Sequence, residues 1–257
     1  MTISLRLGVL LFSFITSPVL AAEPPAKPDA VPDEAAQELE SVTVSGVKDP
    51  GFLTYAKALK ALAAFDQHHQ ALAPAARPRF QLVRNLQKDD PAKTPLALRL
   101  AGSEQSVDLP LAADRSFSVP RDALGLGEDP ELVINRSRSF YGILPHVVSP
   151  GVPPNVRRLG DLRLECEMIY SYVKDDLGIL ARAAVAALGG GCHTSLATFG
   201  VPAPGRLTGL ALVYGERREA LPAKSIQQNG MVYILPVSDK TWPDDTLLEF
   251  ELVAAAK

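Results

Sequence analysis

Between residues 52 and 72 the apolar side chains Phe52, Tyr55, Leu59, Leu62, Phe65 and Leu72 are spaced in multiples of three and four, while Lys57, Lys60, Asp66 and Gln67 fall mainly elsewhere. Such spacing puts one stripe along a helix. The turn residues Asp49, Pro50 and Gly51 precede the stretch and Pro74 and Pro78 close it, so the pattern predicts an amphipathic helix laid on a sheet. After Pro78 the rhythm changes to short β-rich runs separated by turn residues, at 80–85, 96–100, 106–109, 116–119 and 131–136. Closely spaced strands of this kind predict a sandwich or barrel.

The most regular alternation lies at 162–172. There Leu162, Leu164, Cys166, Met168, Tyr170 and Tyr172 are interleaved with Arg163, Glu165, Glu167, Ile169 and Ser171. Period two over that length predicts a long strand with Cys166 on its buried face. Asp175 and Asp176 then open an alanine-rich stretch, 177–188, which ends on Gly189, Gly190 and Gly191. Acids at the start and glycines at the finish predict a short helix. Strands return at 207–214, at 231–237 after Asn229 and Gly230, and at 246–253 after Pro243, Asp244 and Asp245.

The expected fold is therefore mainly β: an antiparallel β-sandwich with an N-terminal amphipathic helix and a short helical excursion near 176–188. The expected organisation is an N-terminal strand and helix over 41–78 and a sandwich domain over 79–257, divisible into sub-lobes at 79–172 and 192–257. No long internal repeat is visible in the residues.

The front of the chain changes the picture. A single charge at Arg6, an apolar run from Leu7 to Ile15 and small residues around Ala21 and Ala22 follow the order of a signal peptide, 1–21, with cleavage near Ala21. The run is too short to span a bilayer core, which takes roughly 20 residues, and an uncleaved amphipathic start is the alternative. Residues 22–40 hold four Pro, six acids and one Lys, a composition too poor in apolar groups to order itself, and are expected to be a disordered leader. Residues 41–257 carry a net charge of about +1. That excludes the basic footprint of a nucleic-acid binder. The expected location is periplasmic or secreted.

Two cysteines, Cys166 and Cys192, are the only ones in the chain. In an exported protein an even count points to a bridge, with two separate buried thiols as the alternative. His193 follows Cys192 directly, but neighbouring side chains seldom meet as a nucleophile and base. His68 and His69 are adjacent on the predicted helix, a poor spacing for chelation, and His146 is far from His193 in sequence. Paired aspartates at 89–90, 175–176 and 244–245 suit turns and caps. No phosphate-binding loop, dinucleotide fingerprint, nucleophile elbow or metal-ligand spacing occurs, so no cofactor and no metal are expected.

Two stretches carry candidate binding chemistry. The proline-rich connection 145–161 bears Arg157 and Arg158, with Arg136, Arg138 and Arg163 on the flanking runs. Guanidinium forks suit carboxylates and phosphates, so these five form a candidate anion site; a solvated rim balanced by Asp161, Glu165 and Glu167 is the alternative. The β-branched run Val42, Thr43 and Val44 can serve as a docking strand or as the first strand of the domain.

The segment 96–164 resembles the carboxypeptidase-regulatory and transthyretin-like β-sandwich group. The likeness rests on Val107-Asp108-Leu109-Pro110, Asp114-Arg115-Ser116-Phe117-Ser118-Val119-Pro120, Leu132-Val133-Ile134-Asn135 and Arg158-Leu159-Gly160-Asp161-Leu162. It implies a supporting or binding role. Residues 39–46 are similar to the energising segment of TonB-dependent receptors, which implies strand addition to a partner's sheet. As a whole the chain is similar to exported bacterial proteins, a likeness that carries no activity. The expected function is a non-enzymatic envelope module that binds a protein or an anionic glycan. A hydrolase with a site assembled from distant residues, including His193 and Ser195, is the alternative.

Overall fold

A computed structural model describes residues 47, 49–123, 125–153, 155–195 and 198–253. The expected signal peptide, leader and docking strand Val42–Val44 lie outside them. The described chain is mainly β, with every strand pairing antiparallel.

Strand β1 (Pro50–Thr54) runs directly into helix α1 (Tyr55–Leu72), followed by β2 (Arg79–Arg84), β3 (Leu98–Ala101), β4 (Ser106–Leu109), β5 (Ser116–Phe117), β6 (Glu131–Ser137) and β7 (Tyr141–His146). A second series then begins: β8 (Val156–Arg158) runs directly into α2 (Leu159–Val173). A single 3₁₀ turn (Lys174–Asp176) and α3 (Ile179–Ala187) follow. The chain ends with β9 (Phe199–Pro202), β10 (Leu207–Tyr214), β11 (Arg217–Ala220), β12 (Ile226–Gln227), β13 (Val232–Leu235) and β14 (Leu247–Leu252).

The two series repeat one topology. The larger sheet of the first half is ordered β1-β6-β3-β4, and that of the second is β8-β14-β10-β11. In each the first, third and fourth strands of the half hold the same places. The smaller sheets, β5-β2-β7 and β12-β13-β9, are both built on the half's second and fifth strands. The last two strands of each half exchange sheets, and the second strand is central in the first small sheet but terminal in the second. No residue pattern announces this duplication.

Phe52 was expected on the first helix; it lies in β1 and is exposed, and the helix starts at Tyr55. Thr54 supplies the cap, its hydroxyl accepting from the Lys57 N–H at 3.4 Å, as a hydroxyl does for an orphan amide at a helix start. Ala58, Ala61, Leu62 and Phe65 then face the core.

The long strand expected over 162–172 is instead helical. Apolar residues at every second position are also at every fourth, so one run satisfies both periods. On a helix the six split into two stripes on opposite sides. Leu164, Met168 and Tyr172 enter a first core with Phe80, Leu100, Leu132 and Phe65. Leu162 and Cys166 enter a second with Leu212, Tyr233, Trp242 and Leu248, and Tyr170 packs against it. Both stripes are buried, so α2 is the common wall of two cores. Burial pushes the Tyr172 phenol up to about 12.

Helix α2 is anchored by specific contacts. Its first amides, at Leu159 and Gly160, donate to the Thr246 and Asp244 carbonyls at 2.8 Å each, satisfying groups a helix start leaves open. A Cβ on Gly160 would lie 2.2 Å from the Leu72 carbonyl oxygen. Glycine therefore permits α2 to touch the end of α1, where the Arg158 guanidinium donates to that same carbonyl at 2.6 Å. At the middle of α2, Cys166 is bonded to Cys192 across 26 residues, closing the excursion that carries α3. Closing a loop of that size stabilises by roughly 3–4 kcal/mol in the chain-entropy account.

Because both cores share one helix, they should unfold together. Met168→Ala removes a fully buried side chain from the first core, and the single Trp242 reports on the second. The variant is expected to lose about 2–5 kcal/mol. Its urea transitions followed by Trp242 fluorescence and by circular dichroism should shift equally; a shift in one alone contradicts a common wall.

Candidate functional site

Helix periodicity sets Asp161 and Glu165 one turn apart on α2, and both are buried. Their carboxylates serve the segment that leaves β7. Asp161 accepts from the Ser149 N–H at 2.8 Å and from its hydroxyl at 2.6 Å, and Glu165 accepts from the Val147 N–H at 2.7 Å. The segment's amides, which no strand pairs, are thus satisfied by side chains, as buried backbone groups require. Glu165 also accepts from Arg157 at 2.6 Å, and His146 Nδ1 stands 3.5 Å from the same oxygen.

Burial alone would push the Glu165 carboxyl up. The Arg157 guanidinium, His146 and the Val147 amide overcome that and hold it below the ordinary carboxylate range. Burial likewise opposes the charge on Arg157, and Glu165 more than restores it.

This pair forms part of the floor of a cleft of about 450 Å³ between the two smaller sheets. One wall comes from β2 and β7, with Gln81, Val83, Arg84 and Leu144, and the other from β9 and β13, with Phe199, Val201 and Tyr233. Asp114 and Arg115 lie at its rim on the turn before β5 and are exposed. Burial raises the Asp114 carboxyl, but the Ser116 hydroxyl and amide outweigh it and bring the group below its usual range. Arg115 adopts φ 63°, a left-handed conformation uncommon outside glycine, and makes no ion pair among the described residues.

Two unsatisfied donors lie at this cleft. Among the described residues, the buried side-chain polar atoms without a partner are Nε of Arg79, Arg84 and Arg157, and the Thr246 hydroxyl. Arg84 and Arg157 line the cleft, and Arg79 is paired in register with His146, which lines it too. Tyr233 is fully buried beside Arg157 and Glu165. Burial pushes that phenol up, keeping it a neutral donor. The arrangement suits a ligand that brings acceptor oxygens and an apolar body.

The five arginines of the candidate anion site each hold their own carboxylate. Arg136 holds Asp90 at 2.7 Å, Arg138 holds Asp49 at 2.7 Å, Arg157 holds Glu165, Arg158 holds Asp245 at 2.7 Å, and Arg163 holds Asp244. Arg163 also donates to the Val237 and Trp242 carbonyls, bracing the loop that meets the start of α2. Of the five, only Arg157 reaches the cleft.

His193 Nε2 lies 2.9 Å from Glu167 Oε1 beside the disulfide, exposed, and Ser195 is exposed on the following turn; neither lines the cleft. His69 stacks on Phe65 with ring centroids 4.9 Å apart. No group of three or more His, Cys, Asp or Glu among the described residues could hold a metal ion. None of their helices is long and apolar enough to cross a membrane. Glu165 entered the sequence reading only as an acid balancing the arginines and Arg115 only within the β-sandwich resemblance, while Tyr233 and Arg84 escaped it. The i,i+4 relation of Asp161 and Glu165 would have pointed to Glu165, had the run been taken as helical. No family model, curated protein or solved structure matches the chain.

Because Glu165 is held below its unfolded value, its contribution to stability is complete above about pH 5 and is lost as pH falls through the folded value. Glu165→Gln leaves the Arg157 charge buried and uncompensated, with an expected loss of about 3 kcal/mol at pH 7. Urea midpoints measured from pH 7 to pH 3 should show the gap between the two proteins narrowing below about pH 4. A gap independent of pH contradicts the ion-pair account.

Proposed function

We propose that the protein is a non-enzymatic binding module of the cell envelope, and that its partner, a protein or an anionic glycan, enters the cleft between the two smaller sheets. The observation that carries this reading is the pair of unpartnered buried guanidinium Nε atoms, on Arg84 and Arg157, at one cavity lined by both halves. Leaving such groups without acceptors costs free energy, and a bound acceptor recovers it. Apolar side chains such as Val83, Leu144 and Phe199 give a ligand's body a surface to bury.

Export to the periplasm, or secretion, is part of the same proposal. The Cys166–Cys192 bond supports it, since such bonds persist in oxidising compartments, and so does the signal-like order of the first residues. A sandwich arrangement of each half's larger and smaller sheet around its core fits the resemblance to regulatory β-sandwich modules. That resemblance supports a binding role. The hydrolase reading has less support, because His193 stands apart from the cleft.

The test is capture from an envelope extract by the full chain, tagged at its C-terminus. Val148 is exposed on the cleft wall, so Val148→Trp narrows the cavity from its solvent side. A partner recovered by the unchanged protein is expected to fall at least about tenfold with the variant, the effect of roughly 1.4 kcal/mol. Equal recovery contradicts the cleft as the site. No partner, together with hydrolase turnover that disappears in His193→Ala, contradicts the binding role.

A further inference from the structure

We infer that the cleft recognises an extended peptide carrying a carboxylate, which pairs as an added strand with the open edge of β9. This rests on the cleft being the binding site and names the class of its partner.

The first observation is the edge itself. In the sheet β12-β13-β9, β9 is terminal, and its register pairs Val201 with Tyr233 and Gly200 with Ile234. The Ala203 amide donates to the Met231 carbonyl at 2.9 Å. In an antiparallel ladder hydrogen-bonded pairs alternate, so Ala203 and Val201 direct their backbone groups at β13 while Gly200 directs its N–H and C=O away. Gly200 is exposed, lines the cleft and has no backbone partner on its outer side among the described residues. An amide and a carbonyl presented together on a strand edge are what a second strand satisfies. A glycan lacks the alternating amides and carbonyls that would do so.

The edge of β7 in the facing small sheet offers no such place where the chain continues past it. There the Val147 and Ser149 amides are already taken by Glu165 and Asp161. The strand site is therefore on the β9 side.

The second observation is charge. Arg115, at the rim, has no ion-pair partner among the described residues; Arg84 and Arg157, though ion-paired with Asp89 and Glu165, present unpartnered Nε atoms, and the Tyr233 phenol lines the same cleft. All are donors, and of the three guanidinium groups Arg115 is the one without a salt bridge among the described residues, with Asp114 as its neighbour at the rim. A carboxylate is the acceptor a peptide can supply, from Asp, Glu or its own terminus, and guanidinium groups bind it best. The walls contributed by Phe199 and Val201 suit the side chains of β-branched residues on such a strand.

A display library of random octapeptides with free C-termini tests the proposal on the full chain. Selection is expected to enrich β-branched residues together with an acid or a terminal carboxylate. Gly200→Pro removes the outward N–H, whereas Gly200→Ala leaves it, since a Cβ there meets only Val232 at 3.4 Å. The strongest selected peptide should bind Gly200→Ala within about twofold and Gly200→Pro at least about tenfold more weakly, the cost of roughly one net hydrogen bond. The unchanged protein should lose a similar factor when alternate amides of that peptide are N-methylated, which holds the test open even if Gly200→Pro fails to fold. Amidating or neutralising the carboxylate should weaken binding to the unchanged protein and have no effect on Arg115→Gln.

Three results overturn the inference: no enrichment, binding indifferent to N-methylation, or binding indifferent to the carboxylate. If oligogalacturonate binds where no peptide does, and Val148→Trp abolishes it, the cleft remains the site and only the peptide is refuted. If Val148→Trp changes nothing for any probe, the cleft itself is refuted.

Discussion

A helix that is apolar on two opposite faces has no face left to give wholly to water, and α2 meets that constraint by lying between two cores. Leu164, Met168 and Tyr172 close the first; Leu159, Leu162 and Cys166 close the second. The polar residues left between the stripes are consequently buried as well. Asp161, Arg163 and Glu165 must find partners inside the protein, and each does. Those partners are two loops: 147–149, which joins the halves, for the two carboxylates, and 237–244, between β13 and β14, for the guanidinium. The helix thus fixes both loops, and the cleft is lined by the connection between the halves together with the two small sheets.

The duplication of topology gives this arrangement a simple geometry. Each half places a helix directly after its first strand, and each builds a smaller sheet on its second and fifth strands. The two helices pack together, with Gly160 permitting contact at the end of α1. The small sheets supply the two walls of the cleft. A buried ion pair at such a junction contributes little net stability on its own, because desolvation offsets most of the attraction. Its value here is positional: Glu165 holds both Arg157 from the second half and the Val147 amide from the first.

Much of this was legible in the residues where one local rule decided the outcome. The strands at 131–136 and 207–214 and the cysteine bridge follow from alternation and from compartment chemistry. The α2 segment was not legible, because alternate apolar positions satisfy a strand and a doubly buried helix equally, and only the tertiary setting chooses. With the helix misread, Glu165 fell on a supposed solvent face, so its balance with the arginines read as a solvated rim and not as a buried pair with Arg157. The arginines gave the opposite lesson. Five close in sequence terms disperse to five carboxylates, while Arg84 and Arg115, outside that set, reach the cleft. The topological repeat escaped because strand order can recur without any recurrence of side chains.

The claim on which the rest stands is that α2 belongs to both cores at once. Native-state hydrogen exchange, followed by mass spectrometry with fragments covering 162–172, tests it directly. The account predicts that these amides exchange only through global unfolding, as slowly as the slowest of β2 and β10. Exchange through a local opening of the helix, with both sheets still protected, would contradict it.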